Sequence, residues 1–276
     1  MATQSPWTSL LSPPPSVTPE AKPPLTQDQE AKLKCLIDHF GSPDYALPVK
    51  QHAEEKTPIG DREMIYLEGL TKSTIESADS LLGPPNNTTL QSKTGKNLAL
   101  GFSNKGQPIL TFFVYMLERA KDLMCAGVTN TFVIFNWAGK KSGPSLPLSV
   151  IKSTNHILSS YYPETLGLSV FQGMPWIFKT LINLVWPFVD PVTKKKVSFG
   201  SLEGAELVKE GVVDPSQLLK EAGGNVDLPY DHATYWPALL ETCVKIREEE
   251  EQRWRALGER QVGREEKLFK RPIPTA

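Results

Sequence analysis

The sequence predicts an α/β layer fold, in which helices pack on a mixed sheet of mainly parallel strands. A short helical region is predicted to precede this fold in the chain. From residue 98 onward, short strand-like runs alternate with helical segments, as in α/β proteins. The run TNTFVIFNWAG, residues 129–139, is β-branched and aromatic, which is typical of a strand buried on both faces. A helix and a further strand follow with short connections, which predicts a parallel pair joined by a right-handed crossover.

Composition limits the function before any motif is considered. The chain has 276 residues, of which 39% are hydrophobic, so it can bury a real core. Its 30 basic and 31 acidic residues give no overall charge that would attract nucleic acid. Three widely spaced cysteines indicate neither a disulfide framework nor a zinc site. With no signal-peptide pattern and no 18-residue apolar run, we expect an intracellular, soluble protein. Composition gives no hint of the oligomeric state, for which we expect a monomer.

The chain divides into five predicted parts. Residues 1–25 carry seven prolines and predict a disordered tail, and residues 26–82 predict a reduced N-terminal helical region that starts with Thr26 as N-cap. Residues 83–97 read as a linker, 98–242 as the α/β domain, and 243–276 as a charged C-terminal helix and tail.

The first half of the α/β domain is predicted to hold a hairpin, two helices and two further strands. The hairpin, residues 98–110, turns at residues 104–106, and the first helix ends near Gly127. The strand at 129–139 is then followed by a helix over residues 147–162. The run GLSVFQG, residues 167–173, predicts the next strand.

The second half is predicted to be mainly helical. One helical turn is predicted to begin at Asp190 and Pro191. A short helix is predicted to begin in the same way at Asp214 and Pro215 and to end at Gly223. The last helix has many acidic and basic residues four positions apart, which is typical of a solvated helix. We expect it to pack through Leu239, Leu240, Val244, Ile246 and Trp254.

Sequence signatures of common enzyme classes are absent. There is no G-x-S-x-G elbow, H-E-x-x-H pair or G-x-G-x-x-G fingerprint, and SKTGKN lacks the upstream glycine and the Ser/Thr after the lysine that a phosphate loop has. The four histidines lie in separate segments without carboxylates at relay or ligand spacing. A hydrolase whose Ser, His and Asp meet only in space stays open as an alternative.

The segment from Trp176 to Val189 is apolar almost all round, with only Lys179, Thr180 and Asn183 polar. Two interpretations fit this pattern. The helix is either buried in the core, or it closes an apolar cavity and enters a membrane interface when it opens.

Three sequence runs in order resemble one known family. YYPETLG (161–167), MPWIFKTLINLVWPFVDPVTKKKV (174–197) and AGGNVDLPYDHATYWPAL (222–239) closely resemble CRAL-TRIO lipid-binding proteins, above all fungal phosphatidylinositol transfer proteins. The resemblance extends from about Leu98 to Leu240. It implies a CRAL-TRIO fold, with a sheet as the floor of a lipid cavity and the apolar segment as a gating helix above it.

The resemblance also assigns the cavity and hinge residues. The gate and cavity wall would comprise Trp176, Phe178, Leu181, Ile182, Leu184, Val185 and Phe188. A pocket of this kind holds a whole lipid, because burying acyl chains contributes roughly 0.8 kcal/mol per methylene. Gly223 and Gly224 match a Gly-Gly near the gate hinge of relatives, although a helix C-terminus explains such glycines equally well.

For the lipid headgroup, the resemblance implies a small polar set. Lys196 would pair with the phosphate, Thr193 would donate a hydroxyl hydrogen bond, and Glu164 would orient the lysine or accept from inositol hydroxyls. Lys72 matches a lysine of the N-terminal helical motif, and Thr131 matches one of two hydroxyls that bind choline lipids.

The sequence also departs from the family pattern. Thr165 and Glu68 each replace an expected arginine, and Val133 replaces the second hydroxyl of the choline-lipid pair. The N-terminal helical region is shorter than in relatives, and the strand GQPILT almost touches the following helix.

We therefore expect a non-catalytic carrier that binds phosphatidylinositol and transfers it between membranes. It would need no cofactor besides its lipid, bind no nucleic acid, and be cytoplasmic with peripheral attachment to endoplasmic-reticulum-type membranes. A carrier of another apolar ligand such as a sterol is the first alternative, and would leave the headgroup set idle. A non-transferring scaffold that binds a protein through its charged C-terminal helix is the second. After deletion of residues 248–276 a scaffold is expected to lose its partner, whereas a carrier is expected still to bind lipid.

Overall fold

A five-stranded sheet forms the centre of the computed structural model. The structure describes residues 6–42, 44–45, 95, 98–111, 114–137, 158, 162, 164–176, 180, 182, 186–188, 191–199, 202, 204–258 and 265–275. The strands, in spatial as in chain order, are β1 Ala99–Phe102, β2 Pro108–Leu110, β3 Thr131–Asn136, β4 Leu166–Gln172 and β5 Val197–Phe199.

The predicted hairpin and parallel pair are both confirmed. β1 and β2 are antiparallel, and their turn is closed by hydrogen bonds between Ser103 and Gln107 and between Gly106 and Ser103. β2, β3, β4 and β5 are parallel to one another. The result is a mixed, mainly parallel sheet, as the alternating pattern predicts.

Five α-helices and five short 3-10 helices accompany the sheet among the residues that the structure describes. The α-helices are α1 Gln27–Phe40, α2 Val114–Leu123, α3 Pro191–Lys196, α4 Glu206–Lys209 and α5 His232–Ala256. The 3-10 helices are Thr8–Leu10, Trp186–Phe188, Pro215–Gln217, Lys220–Ala222 and Glu266–Leu268. The helix predicted over 147–162 lies almost wholly outside the described residues.

The two faces of the sheet have different coverings. One face carries Phe132, Ile134 and Val170, which pack with Leu207 of α4 and residues of the segment that follows it. The opposite face is closed near β2 and β3 by α2, whose Ala120 packs with Leu110 and Val133. Aromatic residues of β3, β4 and β5 continue this second face beyond α2.

Helix α5 packs on α2 with a face that differs from the predicted one. Its buried residues are Tyr235, Leu239, Cys243, Ile246 and Glu250, spaced three or four apart as one helical face requires. Val244 is 51% exposed, so its predicted burial is wrong, because it lies one position around the helix from Cys243. The predicted packing of Leu239 and Ile246 is confirmed, whereas Leu240 and Trp254 are only partly buried. The helix runs without interruption across the boundary predicted at 242/243.

The N-terminal segment is not a disordered tail where it is described. Trp7, Leu10 and Leu11 are buried in the same cluster as Phe102 and Tyr235. The Trp7 indole nitrogen donates a hydrogen bond to the Thr234 hydroxyl at 3.0 Å. The prediction for residues 1–25 is therefore wrong, because three large apolar side chains anchor a segment whose composition is otherwise typical of disorder.

The C-terminal segment returns to the end of α2. Lys270 donates to the Lys121 carbonyl oxygen and Arg271 to that of Leu123, so two cations lie at the helix C-terminus, where the helix dipole favours them. Lys270 also pairs with Glu250 at 3.1 Å. Burial raises the pKa of the Glu250 carboxyl, and Lys270 opposes this effect.

Two predicted local details are resolved by the structure. Thr26 caps α1 through a reciprocal capping box with Gln29, as its type and position predict. The single short helix predicted from Asp214 to Gly223 is instead two 3-10 turns, separated by extended backbone at Leu218. Asp214 nevertheless caps the first turn by accepting from the Ser216 backbone N–H.

Candidate functional site

A row of aromatic side chains crosses the second face of the sheet. Phe135, Phe171 and Phe199 occupy one rung of β3, β4 and β5, because the strand register pairs them in that order. The rings of Phe135 and Phe171 are stacked with centroids 4.6 Å apart, and Phe199 lies 4.7 Å from Phe171. All three side chains are only partly buried, so the sheet presents an apolar aromatic surface there.

Two tryptophans extend this aromatic surface. Trp137 follows β3 and stacks near Phe135 and Phe171, with centroids 6.0 and 5.8 Å away. Trp186, from the predicted gate segment, meets Phe199 edge to face at 5.0 Å. The gate segment therefore contacts the sheet face that the resemblance assigns to the cavity floor.

The predicted gate residues are only partly covered by the structure. The helical residue Trp176 is 77% exposed, Ile182 is helical and partly buried, and Phe188 belongs to the 3-10 helix Trp186–Phe188. The remaining predicted wall residues, Phe178, Leu181, Leu184 and Val185, lie outside the described residues. The exposure of Trp176 shows that at least one large apolar side chain of this segment faces away from the core.

Glu164 and Lys196 form an ion pair at the amino ends of two strands that carry the aromatic row. Glu164 lies two residues before β4, and Lys196 immediately precedes β5, so both precede the amino ends of neighbouring parallel strands. The Lys196 ammonium donates to a Glu164 carboxylate oxygen at 2.8 Å. The Lys196 side chain is 25% exposed and that of Glu164 82%, so the pair remains open to solvent or ligand.

Helix α3 positions the lysine and its predicted partner threonine. Pro191 begins the helix, as its fixed φ favours, and the helix packs on β4 and β5. Thr193 and Lys196 are three positions apart and thus neighbours on one helix face, and both are half-buried. Lys195 is exposed, whereas Lys194 donates to the Pro187 carbonyl oxygen at 3.4 Å.

Thr131, which is predicted to bind the headgroup, does not lie at a solvent-exposed position. Its side chain is buried at the first residue of β3, and its hydroxyl donates to the Thr165 carbonyl oxygen at 3.0 Å. The Thr165 hydroxyl in turn donates to the Tyr162 carbonyl oxygen at 2.8 Å. The structure thus brings Thr131 next to the turn that carries Glu164, with its hydroxyl bonded to the backbone.

The two predicted hinge glycines are tightly packed. Gly223 ends the second 3-10 turn with φ 102°, and a Cβ there would lie 2.1 Å from the Gly204 carbonyl carbon. A Cβ at Gly224 would lie 1.9 Å from the Leu218 carbonyl oxygen. Close approach of backbones therefore explains both glycines, and their role as a hinge stays a prediction.

The turn that ends at these glycines is fixed to the carboxyl ends of two strands. Asn136 of β3 donates to the Glu221 carbonyl oxygen, and Gln172 of β4 to that of Ala222. The remaining predicted headgroup residue, Lys72, lies outside the described residues. No group of acidic, histidine or cysteine side chains in the described part of the chain could hold a metal ion.

Reasoning from the sequence missed two features of this site. One is the aromatic floor formed by Phe135, Phe171 and Phe199, and the other is the pair of threonines, Thr131 and Thr165, that bond the turn at Glu164. The floor had a signal, because Val133 and Phe135 alternate with Phe132 and Ile134 in β3, and GLSVFQG repeats this alternation. Reading these runs as buried on both faces hid the fact that one face stays partly open. The pairing of Thr131 with Thr165 has no local signal, because 34 residues separate them.

Comparison with known proteins gives a consistent family. The sequence profile of the CRAL/TRIO domain matches residues 91–224. The phosphatidylinositol transfer protein PDR17 of Saccharomyces cerevisiae is 24% identical over 81% of this chain and 78% of its own length. A CRAL-TRIO domain-containing protein of Schizosaccharomyces pombe is 29% identical over 63% of this chain, but over only 18% of its own.

Two further similarities are shorter or weaker. The SEC14 cytosolic factor of Candida glabrata is 33% identical over 29% of this chain and 26% of its own. The crystal structure of Sfh5 aligns with 82% of this chain and 100% of its own at 15% identity, with a TM-score of 0.42. In the parts of the chain that the structure describes, no helix combines the length and apolar content that crossing a membrane requires. Residues 91–224 are therefore assigned to the CRAL/TRIO domain family by their match to its profile.

Proposed function

We propose that this protein binds one phospholipid, with phosphatidylinositol as the preferred lipid, and transfers it between membranes without chemistry of its own. The observation that carries this proposal is the solvent-accessible pair of Lys196 and Glu164 at the amino ends of β4 and β5, the strands that also carry Phe171 and Phe199 of the aromatic row. A phospholipid has the same division, with a charged polar head on an apolar body. The name of the relative from Saccharomyces cerevisiae supports the same function.

The apolar part of the lipid would lie on the aromatic row. Phe135, Phe171 and Phe199 offer a continuous surface that is still partly exposed, and Trp186 brings the gate segment against it. Covering this surface with acyl chains removes apolar area from water on both sides of the contact, at about 25 cal/mol per Å². The lipid therefore completes an apolar layer that the sheet leaves open.

The polar pair has chemistry that suits an inositol phosphate. A lysine ammonium is a point charge with three donors, so Lys196 can attract the phosphate, and Thr193 can add a hydroxyl hydrogen bond. When Lys196 turns to the phosphate, Glu164 needs new donors, and inositol hydroxyls provide them. A choline headgroup has no such donors, so the pair favours phosphatidylinositol over phosphatidylcholine.

Transfer requires transient contact with a membrane surface. Trp176 and Val192 expose apolar side chains, and Lys195 exposes a cation three residues after Val192 in the same short helix. Tryptophan and lysine side chains suit the interface between headgroups and acyl chains. We propose a monomer that is cytosolic, attaches peripherally to endoplasmic-reticulum-type membranes, and needs no cofactor besides its lipid; a relative named a cytosolic factor supports this location.

The experiment compares two lysines of the same helix. We expect Lys196→Met to lower the affinity for phosphatidylinositol vesicles about tenfold, which corresponds to one charge-assisted hydrogen bond to the phosphate. Lys195→Met removes the same charge from an exposed position one residue away and should preserve this affinity. Equal effects of the two substitutions would mean that Lys196 does not recognise the headgroup.

A further inference from the structure

We infer that Thr131 and Thr165 are positioning residues that hold Glu164 against Lys196 and so set the headgroup preference. This inference rests on the proposed function. It gives Thr131 a different role from the one that the family resemblance implies, because its hydroxyl acts on the protein backbone and not on the lipid. It also gives a role to Thr165, which stands where the resemblance expects an arginine.

The carbonyl group of Thr165 is fixed from the neighbouring strand by two donors. The Thr131 hydroxyl and the Thr131 backbone N–H both donate to its oxygen, at 3.0 and 2.8 Å. Thr131 is buried, so water does not compete for these bonds. The peptide group between Thr165 and Leu166 is thereby fixed relative to β3.

The other end of the turn is fixed by the Thr165 side chain. Its hydroxyl donates to the Tyr162 carbonyl oxygen at 2.8 Å, which closes a turn of four residues. Glu164 lies inside this turn with φ 57°, a left-handed conformation that residues with a Cβ avoid. Such a conformation persists only where surrounding contacts hold it, and the two threonine hydroxyls are such contacts.

An irregularity at the start of β4 belongs to the same arrangement. The register shifts between Thr131 and Phe132, so that Thr131 pairs with Leu166 but Phe132 with Leu168, and Gly167 is the extra residue. A Cβ at Gly167 would lie 2.2 Å from the side-chain amide nitrogen of Gln107 and 2.6 Å from the amide oxygen of Asn130, so a larger residue would require these side chains to move. Bulges of this kind re-aim the chain next to functional sites.

The consequence is that a carboxylate on an exposed turn has a defined direction. Glu164 is 82% exposed and would otherwise sample many rotamers, yet its oxygen lies 2.8 Å from the Lys196 ammonium. Loss of either threonine hydroxyl would leave the pair's charges unchanged but release the turn. Headgroup discrimination would then fall while binding of the apolar part of the lipid stays.

The experiment measures the affinity for phosphatidylinositol relative to phosphatidylcholine with identical acyl chains in wild type, Thr131→Val and Thr165→Val. Valine keeps the shape of threonine and removes only the hydroxyl. In both valine variants we expect the ratio of the two affinities to fall about fivefold, which is the effect of losing one hydrogen bond. Thr131→Ser should restore the ratio. Thr234→Val is the matched control, because its hydroxyl accepts from Trp7 in another cluster and should not affect lipid preference.

The outcomes separate this inference from the proposed function. If Glu164→Gln loses the preference while both valine variants keep it, the positioning role is wrong and the proposed function stands. If wild type shows no preference and Lys196→Met binds phosphatidylinositol as tightly as wild type, both are wrong. If Thr131→Val fails to fold, Thr165→Val decides alone, because its partly exposed hydroxyl lies outside the sheet core.

Discussion

At the scale of single residues, Glu164 combines an unfavourable backbone with a charged side chain at the site. Among the described residues it is the one non-glycine residue with positive φ. Its side chain buries little, so packing does not explain why a residue with a Cβ stands there. A glycine would suit the backbone better, which indicates that the carboxylate itself is needed.

Two substitutions at this position separate backbone strain from chemistry. Both Glu164→Gly and Glu164→Ala remove the carboxylate, but only glycine relieves the left-handed conformation. We expect the glycine variant to be more stable than the alanine variant by about 1 kcal/mol in urea unfolding. Both should lose phosphatidylinositol preference to the same extent.

The control for this pair is Glu241, an exposed residue inside α5. There the order should reverse, with alanine more stable than glycine by about 1 kcal/mol, because glycine is unfavourable in a helix interior. If the two positions showed the same order, backbone conformation at Glu164 would not be the reason.

The residue-level prediction of this site depended on family resemblance. Thirty-two positions separate Glu164 from Lys196, and nothing in their spacing indicates that they meet. They meet because they precede the amino ends of two adjacent parallel strands, β4 and β5. The parallel order of strands was predictable from the sequence, but the adjacency of β5 was not, because only three residues form it.

At the scale of secondary-structure elements, strand prediction succeeded where side chains are apolar without interruption. β3 and β4 were found from such runs, whereas the buried face of α5 was partly missed. Hydrophobicity favoured Val244, although the observed face uses Cys243 and continues to Glu250. Glu250 is buried because Lys270, from the returning C-terminal segment, pairs with it, and a partner twenty residues away leaves no periodic signal.

The returning segment also changes how the scaffold alternative can be tested. Deletion of residues 248–276 would remove Lys270 and Arg271 from the end of α2 and would truncate α5. Such a deletion is expected to destabilise the fold, so loss of lipid binding after it would not distinguish a scaffold from a carrier. The exposed face of α5, which includes Glu241 and Val244, is the appropriate place for substitutions that test protein binding.

The N-terminal segment offers a direct test of its anchoring. We expect Trp7→Ala to lower the free energy of unfolding by about 3–5 kcal/mol, because it removes a buried indole from the core cluster. Trp176→Ala removes the same side chain from an exposed position and should change stability by less than about 0.5 kcal/mol. Urea unfolding of both variants measures this difference, and similar values for the two would show that residues near Trp7 are not part of the folded core.

At the scale of the whole molecule, the sheet separates two tasks. One face is covered by α4 and the segment after it, which form a closed apolar cluster with Phe132 and Val170. The other face leaves its aromatic row partly open, and the Glu164–Lys196 pair lies at the amino ends of two strands that carry this row. A stable core and an unfilled apolar surface on opposite sides of one sheet are what a lipid carrier needs.

The central claim is that this open face holds one phosphatidylinositol molecule. The most direct measurement is native mass spectrometry of the purified protein after incubation with liposomes that contain equal amounts of phosphatidylinositol, phosphatidylcholine, phosphatidylserine and cholesterol. The account predicts a one-to-one adduct with the mass of phosphatidylinositol, which Lys195→Met retains and Lys196→Met loses. A protein that emerges without lipid, or with cholesterol bound equally in all three forms, would contradict it.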